Sequence, residues 1–161
     1  VLEEQVFNAK VHDRAGFTSG EPPLDEYLHQ YAAQQSAKGL CSIFVLVNDT
    51  QPSKILGYYT LSAAQVDVLQ LSSAERKKLP RYPIPCFRLG RLARHIDNRG
   101  EGLGELLVGC AVNRCLHARS QVGAYALLVD AKSQKAKSFY EAYGFIGCLD
   151  SPMTLYLPLG N

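Results

Sequence analysis

The sequence predicts an α/β fold, a mixed central sheet with helices on both faces, made by one domain over residues 1–161. Three observations carry this expectation. A strand, a glycine-rich turn, a helix and a second strand follow one another between Phe87 and Asp130, and such a crossover joins parallel strands. Two strand-like runs, CSIFVLV and ILGYYTLSAA, flank the turn segment NDTQPSK and read as an antiparallel hairpin. The chain has 161 residues, one domain's length, enough to bury a core without disulfide or metal staples.

Each element has its own signal. EPPLDEYLHQYAAQQSAKG predicts a helix: Pro23 opens it, Leu24, Tyr27, Leu28, Tyr31 and Ala32 recur at helical spacing, and Gly39 closes it. The hairpin strands follow. SSAERKKL predicts a short helix capped by Ser72 or Ser73, whose hydroxyl takes a free N–H of the first turn. RYPIPCF carries prolines at 83 and 85, which hold it extended. FRLGRLARHI is strand-like. From Leu103 to Leu116 the pattern is helical, with Leu103, Leu106, Leu107, Cys110 and Ala111 on one face. AYALLVD is a continuous apolar run and predicts a buried strand. SQKAKSFYEAYG predicts a helix capped by Ser133 and closed by Gly144. MTLYLPL is a last strand. No repeat, low-complexity tract or linker interrupts the series.

Composition excludes several classes. Hydrophobic residues are 47% and charged residues 20%, ordinary for a globular protein. Runs such as SIFVLV are far too short to span a bilayer, and VLEEQVFNAK lacks the basic start and long apolar stretch of a signal peptide. The five cysteines, Cys41, Cys86, Cys110, Cys115 and Cys148, are odd in number and form no Cys-x-x-Cys, which argues against a disulfide framework or a zinc site. They read as reduced, mostly buried thiols of a cytoplasmic protein. No His-x-x-x-His pair is present, so no metal is expected. Net charge is only +2, but Arg76, Lys77, Lys78, Arg81, Arg88, Arg91, Arg94, His95 and Arg99 face a single acid, Asp97, between positions 76 and 99. Lys132, Lys135 and Lys137 form a second basic group. Each residue alone reads as solvated surface; as a set they point to a polyanion, a nucleotide or a nucleic acid.

The densest signal is RGEGLG, Arg99 to Gly104, directly before the apolar run ELLVGCAV. A strand feeding a glycine turn into a helix start makes a phosphate cradle, because free N–H groups and the helix dipole face outward and no Cβ holds the anion away. Gly-x-Gly-x-x-Gly fails here, since counting from Gly100 its last glycine falls on Glu105. A P-loop fails because Glu105, not Lys, follows Gly104. Arg-x-x-Gly-x-Gly fits.

RLARHIDNRGEGLGELLVGCAV resembles the acetyl-CoA-binding segment of the GNAT superfamily of N-acetyltransferases. LLVDAKSQKAKSFYEAYGF is similar to that superfamily's later strand and helix, with Ala136, Phe139, Tyr140, Gly144 and Phe145 in the expected places. Ser133 departs from the pattern, where many members have Asn, and so does the strand end Arg94-His95. VHDRAGFTSGEPPLDEYLHQYAAQQSAKG and PIPCFRLGRLAR are similar to the GNAT toxins of bacterial type II toxin–antitoxin modules, so the resemblance covers nearly the whole chain.

The resemblance implies a GNAT fold and acetyl transfer from acetyl-CoA to a primary amine, for a toxin the α-amino group of an aminoacyl-tRNA. It implies a cradle of Arg99, Gly100, Gly102, Leu103 and Gly104 for the pyrophosphate, with Leu92, Ala93 and Arg94 pairing with pantetheine and Ser133 and Phe139 also near the coenzyme. Tyr140 is the expected general acid, with Tyr143 its nearest rival and a core role beside Phe139 the alternative. Glu101 and Glu105 read as solvated charges at a helix start, so no base stands out. Arg76, Lys77, Lys78, Arg81 and Arg91 are the candidate tRNA contacts. A ribbon-helix-helix antitoxin and a homodimer are expected by the same resemblance. A stand-alone acetyltransferase of a small amine or protein, or a non-catalytic acyl-CoA-binding module, stays open.

Overall fold

The computed structural model describes residues 1–160. Seven strands line up in the order β1-β2-β3-β4-β5-β7-β6. They are β1 (Leu2–Val6), β2 (Ser42–Asn48), β3 (Gly57–Val66), β4 (Ile84–Arg94), β5 (Ala126–Asp130), β6 (Ile146–Gly147) and β7 (Thr154–Pro158). The helices are α1 (Pro22–Glu26), α2 (Ala32–Ala37), α3 (Ser73–Arg76), α4 (Leu103–Ala118) and α5 (Gln134–Tyr143). The predicted crossover is present, since β4 and β5 run parallel, while β2–β3 and β5–β7 are antiparallel. The chain divides into two compact units, Val1–Ser62 with Gly90–Ala111, and Ala63–Leu89 with the chain from Val112 on.

In the first unit, Ile43, Val45 and Val47 of β2 pack with Phe17, Leu24, Tyr27, Leu28, Ala32, Tyr58 and Ala93. Phe44 and Leu46 are buried as well, and the Phe44 ring lies 5.2 Å from that of Tyr59, so β2 is covered on both faces. That explains its unbroken apolar run. The predicted first helix is not uniform. Between α1 and α2 the chain makes a π-helical turn, Tyr27–Tyr31, in which the Ala32 N–H reaches back five residues to the Tyr27 carbonyl. The wider turn changes the angular spacing, and Tyr31, expected on the buried face, is 45% exposed. β1 carries the polar sequence LEEQV and pairs with β2 from Leu2↔Asn48 to Val6↔Phe44.

In the second unit, Val66, Val68, Leu71, Ile84, Cys86, Ala126, Leu128, Cys148 and Tyr156 form the core. The Ser72 hydroxyl caps α3 by accepting from the Glu75 N–H, and the Ser72 N–H donates to the Tyr156 hydroxyl at 3.1 Å. Along α4, Leu103, Leu107, Val108, Ala111 and Cys115 are buried, whereas Leu106, expected on that face, is 39% exposed. The stripe is therefore rotated from the predicted one toward Val108. Burial pushes the Cys86 thiol up to about 11 and the Cys115 thiol up to about 12, and raises that of Cys148. No disulfide joins the five cysteines among the described residues. Among the described residues no helix is long and apolar enough to cross a membrane.

Candidate active site

The sequence-predicted site residues fall in both units. In the first, β4 ends at Arg94, His95 caps a single 3-10 turn (Ile96–Asn98), and Arg99 leads into the glycine turn before α4. Gly100 and Gly102 have φ of 77° and 74°. Holding any other L-residue there costs about 1–2 kcal/mol. A Cβ on either glycine would meet nothing within 4 Å. Backbone curvature, not crowding, demands these glycines, and the space above them is open.

The first hydrogen bond of α4 runs from the Leu106 N–H to the Gly102 carbonyl, 3.1 Å. The N–H groups of Gly102, Leu103 and Gly104 come before it and have no helical acceptor. They stand at the positive end of a 16-residue helix. The Arg99 side chain adds a full charge, and no carboxylate among the described residues pairs with it. Glu101 is held aside, since the Asn98 Nδ2 donates to both its carboxylate oxygens at 3.2 Å. The Asn98 Oδ1 is buried without a partner among the described residues. Donors without acceptors, no Cβ above them and an unpaired cation beside them fit the diphosphate of a coenzyme.

Strand β4 supplies a second feature. Its register with β5 ends at Leu89↔Val129, yet β4 continues to Arg94. The backbone of Leu92, Ala93 and Arg94 lies beyond that ladder and can pair with another extended chain. Arg91, one step earlier, is not a free cation. Its guanidinium lies 3.6 Å above the centre of the Tyr27 ring, and its N–H donates to the Thr60 hydroxyl at 3.0 Å.

In the second unit, the Ser133 hydroxyl accepts from the Ala136 N–H at 3.1 Å and so serves as the cap of α5. Phe139 is half-buried. Tyr140 is 8% exposed, with its ring 5.2 Å from Phe139 and 5.4 Å from Phe145. Its hydroxyl takes no hydrogen bond from the described residues. Burial pushes this phenol up to about 12, so it stays protonated, and a proton donor, throughout the neutral range. Tyr143 is exposed.

Here too is the basic group, and the structure divides it. Arg76, Lys77 and Arg81 line one cavity of about 690 Å³ together with Asp67, Val68, Leu69, Ser73 and Leu79. Lys78 does not line it, and Arg88 is paired with Asp130. His95, counted among the basic residues, is buried. Sequence reasoning missed Asp67, whose carboxylate accepts from the Leu69 N–H at 2.9 Å, and the apolar wall of Val68, Leu69 and Leu79. The signal for both was the capped turn DVLQ, one residue before SSAERKKL.

No family model matches the chain. It is 33% identical over 145 residues, 90% of its own length and 85% of the relative's, to the tRNA-acetylating toxin of Mycobacterium tuberculosis. The chain belongs to the GNAT acetyltransferase toxins of toxin–antitoxin modules. Solved structures of these toxins include AtaT complexed with acetyl-methionyl-tRNA, with a TM-score of 0.92, 30% identity, and 98% of this chain and 95% of that one covered. A tyrosine-to-phenylalanine mutant of KacT gives a TM-score of 0.91 and 34% identity over the same shares. AtaTR has been solved with acetyl-CoA, and a tyrosine-to-phenylalanine mutant of AtaT on the C-terminus of the antitoxin AtaR. The mixed seven-stranded sheet is thus that of a GNAT toxin, as the resemblance implies.

Proposed function

We propose that this toxin transfers the acetyl group of acetyl-CoA to the α-amino group of an aminoacyl-tRNA, acting as a single acetyltransferase domain. The cradle carries the proposal: two left-handed glycines, unpaired N–H groups at the head of α4 and an unpaired Arg99. The acetyl-CoA complex of AtaTR and the acetyl-methionyl-tRNA complex of AtaT support the two substrates.

The residues divide the work as follows. Arg99 and the N–H groups of Gly102, Leu103 and Gly104 hold the pyrophosphate through charge-assisted hydrogen bonds. The free edge of Leu92–Arg94 pairs with the pantetheine arm and aims an N–H at the thioester carbonyl, where charge builds during transfer. Bound coenzyme supplies an activated acyl group, and anchoring it by its distant phosphates fixes that group in position. Tyr140 gives its proton to the departing sulfur as the new C–N bond forms. Ser133 and Phe139 shape the helix that presents it. Glu101 is tied to Asn98, which leaves it no part as a base. An aminoacyl ester has a more acidic amine than lysine, and solvent suffices to take its proton. Arg76, Lys77, Lys78 and Arg81 grip tRNA phosphates, and Arg91, stacked on Tyr27, is a fixed contact on the acceptor side. An antitoxin is the expected protein partner, as AtaR is for AtaT.

The test is acetyl transfer from labelled acetyl-CoA to bulk charged tRNA, beside a panel of free amines and peptides. Label on the aminoacyl end is expected. Label on free amines or peptides alone would replace the tRNA with another acceptor and leave the cofactor assignment standing.

A further inference from the structure

The segment Gly16-Phe17-Thr18-Ser19-Gly20 lies some eighty positions from the glycine turn, a separation of 79 residues between Gly16 and His95, and the chemistry above gives it no part. Within the first unit it nevertheless packs along the entrance of the cradle. The Gly16 carbonyl accepts from the His95 Nε2 at 3.2 Å. The Phe17 ring meets the His95 imidazole edge-on, with centres 5.6 Å apart. The Thr18 carbonyl accepts from the Ile96 N–H at 2.8 Å. A Cβ placed on Gly20, whose φ is 87°, would stand 3.2 Å from the Ile96 Cδ1 and 3.3 Å from the Arg99 Nη2.

Both sides of this contact are fixed. His95 is 5% exposed, and its Nδ1 accepts from the Asp97 N–H at 3.1 Å. With Nδ1 an acceptor, the imidazole carries its proton on Nε2, which matches the Gly16 carbonyl. On the other side, Asp25 of α1 accepts from the Ser19 N–H at 2.8 Å, from the Ser19 hydroxyl at 2.7 Å and from the Thr18 hydroxyl at 3.1 Å. Three donors on one carboxylate make a stiff anchor. Helix α1 therefore holds a strap, and the strap touches His95 and Ile96 and passes beside the end of Arg99.

We propose that the Gly16–Gly20 strap, with His95, is the positioning wall of the phosphate cradle, and that Gly20 sets the direction of the Arg99 guanidinium. This rests on the acetyl-CoA assignment made above. Arg99 is exposed and has no carboxylate partner, so nothing else restrains the end of its long side chain. A guanidinium confined before the ligand arrives binds better than one that must be ordered on binding. Gly20 is the strap residue whose added Cβ would meet the Arg99 terminus. Of the atoms that a Cβ would press, the Arg99 terminus yields most easily, so a side chain at position 20 displaces the guanidinium, and the left-handed backbone there adds a strain that a thermal melt reads separately.

Gly20→Ala is the first variant. It is expected to raise the KM for acetyl-CoA roughly tenfold with kcat at saturation within about twofold, the signature of lost ground-state binding. Acetyl-pantetheine, which has the thioester and no pyrophosphate, is expected to react with parent and variant alike. Gly20→Ala added to Arg99→Ala is expected to have no further effect, because both act through one group. Should Gly20→Ala fold poorly, the pair His95→Gln and His95→Ala tests the same wall: glutamine keeps an N–H for the Gly16 carbonyl and preserves the acetyl-CoA KM, while alanine raises it. An unchanged KM in Gly20→Ala, equal losses with acetyl-pantetheine, additive effects with Arg99→Ala, or equal KM values in the two His95 variants would overturn the proposal. A parent protein that binds no CoA in calorimetry would overturn both this proposal and the acetyl-CoA assignment. A parent that binds CoA beside unaffected variants would overturn the strap alone.

Discussion

Replacing Tyr140 by phenylalanine separates the proposed chemistry from packing, because the two rest on different atoms. The ring rests on Phe139 and Phe145, and those contacts persist in Tyr140→Phe. The hydroxyl bonds to no described residue, so its removal orphans nothing, and the stability change is expected to stay within about 0.5 kcal/mol. In a chain of this size that is a shift of about 1–2 °C in Tm. The catalytic loss is much larger. A phenol held at about 12 is almost wholly protonated at pH 7, with an ionised fraction on the order of 10⁻⁵. Removing a fully formed general acid lowers kcat by about 10²–10⁴, or about 3–5 kcal/mol in the barrier. The assay is single-turnover transfer from labelled acetyl-CoA, alongside a thermal melt. A kcat within about threefold of the parent, or a melt lowered by many degrees, would show that the hydroxyl is structural and that the proton comes from elsewhere.

Two further predictions concern charge and proton binding. Reversing Arg76, Lys77 and Arg81 to glutamate is expected to flatten the dependence of log K for charged tRNA on log salt by about 2–3, close to one for each lost phosphate contact, while the KM for acetyl-CoA stays put; an unaltered slope would remove this cavity from the tRNA interface. Stability is expected to fall at high pH, because burial raises Tyr140 from 10 to about 12: below pH 10 the phenol is neutral in both states, and as pH rises from there through about 12 the unfolded phenol ionises first and the folded chain loses roughly 2–3 kcal/mol. Urea midpoints of parent and Tyr140→Phe, close together at neutral pH, should diverge across that window as the parent weakens, and parallel curves would refute the assignment.

Much of this architecture was legible locally. Ser72 and Ser133 cap the helices they precede, Gly144 closes α5, and the continuous apolar runs of β2 and β5 are buried, each because the signal and the structure involve the same few residues. The glycine turn was legible for the same reason, as the left-handed backbone at Gly100 and Gly102 is written in the residue type. What escaped depends on partners distant in the chain. LEEQV shows no apolar alternation, and β1 exists because β2 offers it a ladder. The two-residue β6 is likewise made by β7. The π turn leaves no mark in a helical pattern, yet it turns Tyr31 outward. Arg91 and Arg88 read as surface cations, because the Tyr27 ring beneath the one and Asp130 beside the other lie far away in the chain. The RGEGLG turn carries the pattern of a cradle and says nothing of the strap proposed to brace it.

The buried thiols bear on how such an enzyme survives its own substrate. A thioester exchanges its acyl group readily with any thiolate that reaches it, and a chain with five cysteines that binds one risks becoming the acceptor. Exchange needs the ionised sulfur. At a thiol held near 11, as Cys86 is, the ionised fraction at pH 7 is on the order of 10⁻⁴, and at Cys115, near 12, it is tenfold lower still. The same burial that places Cys86, Cys115 and Cys148 in the core keeps these three chemically silent toward acyl donors.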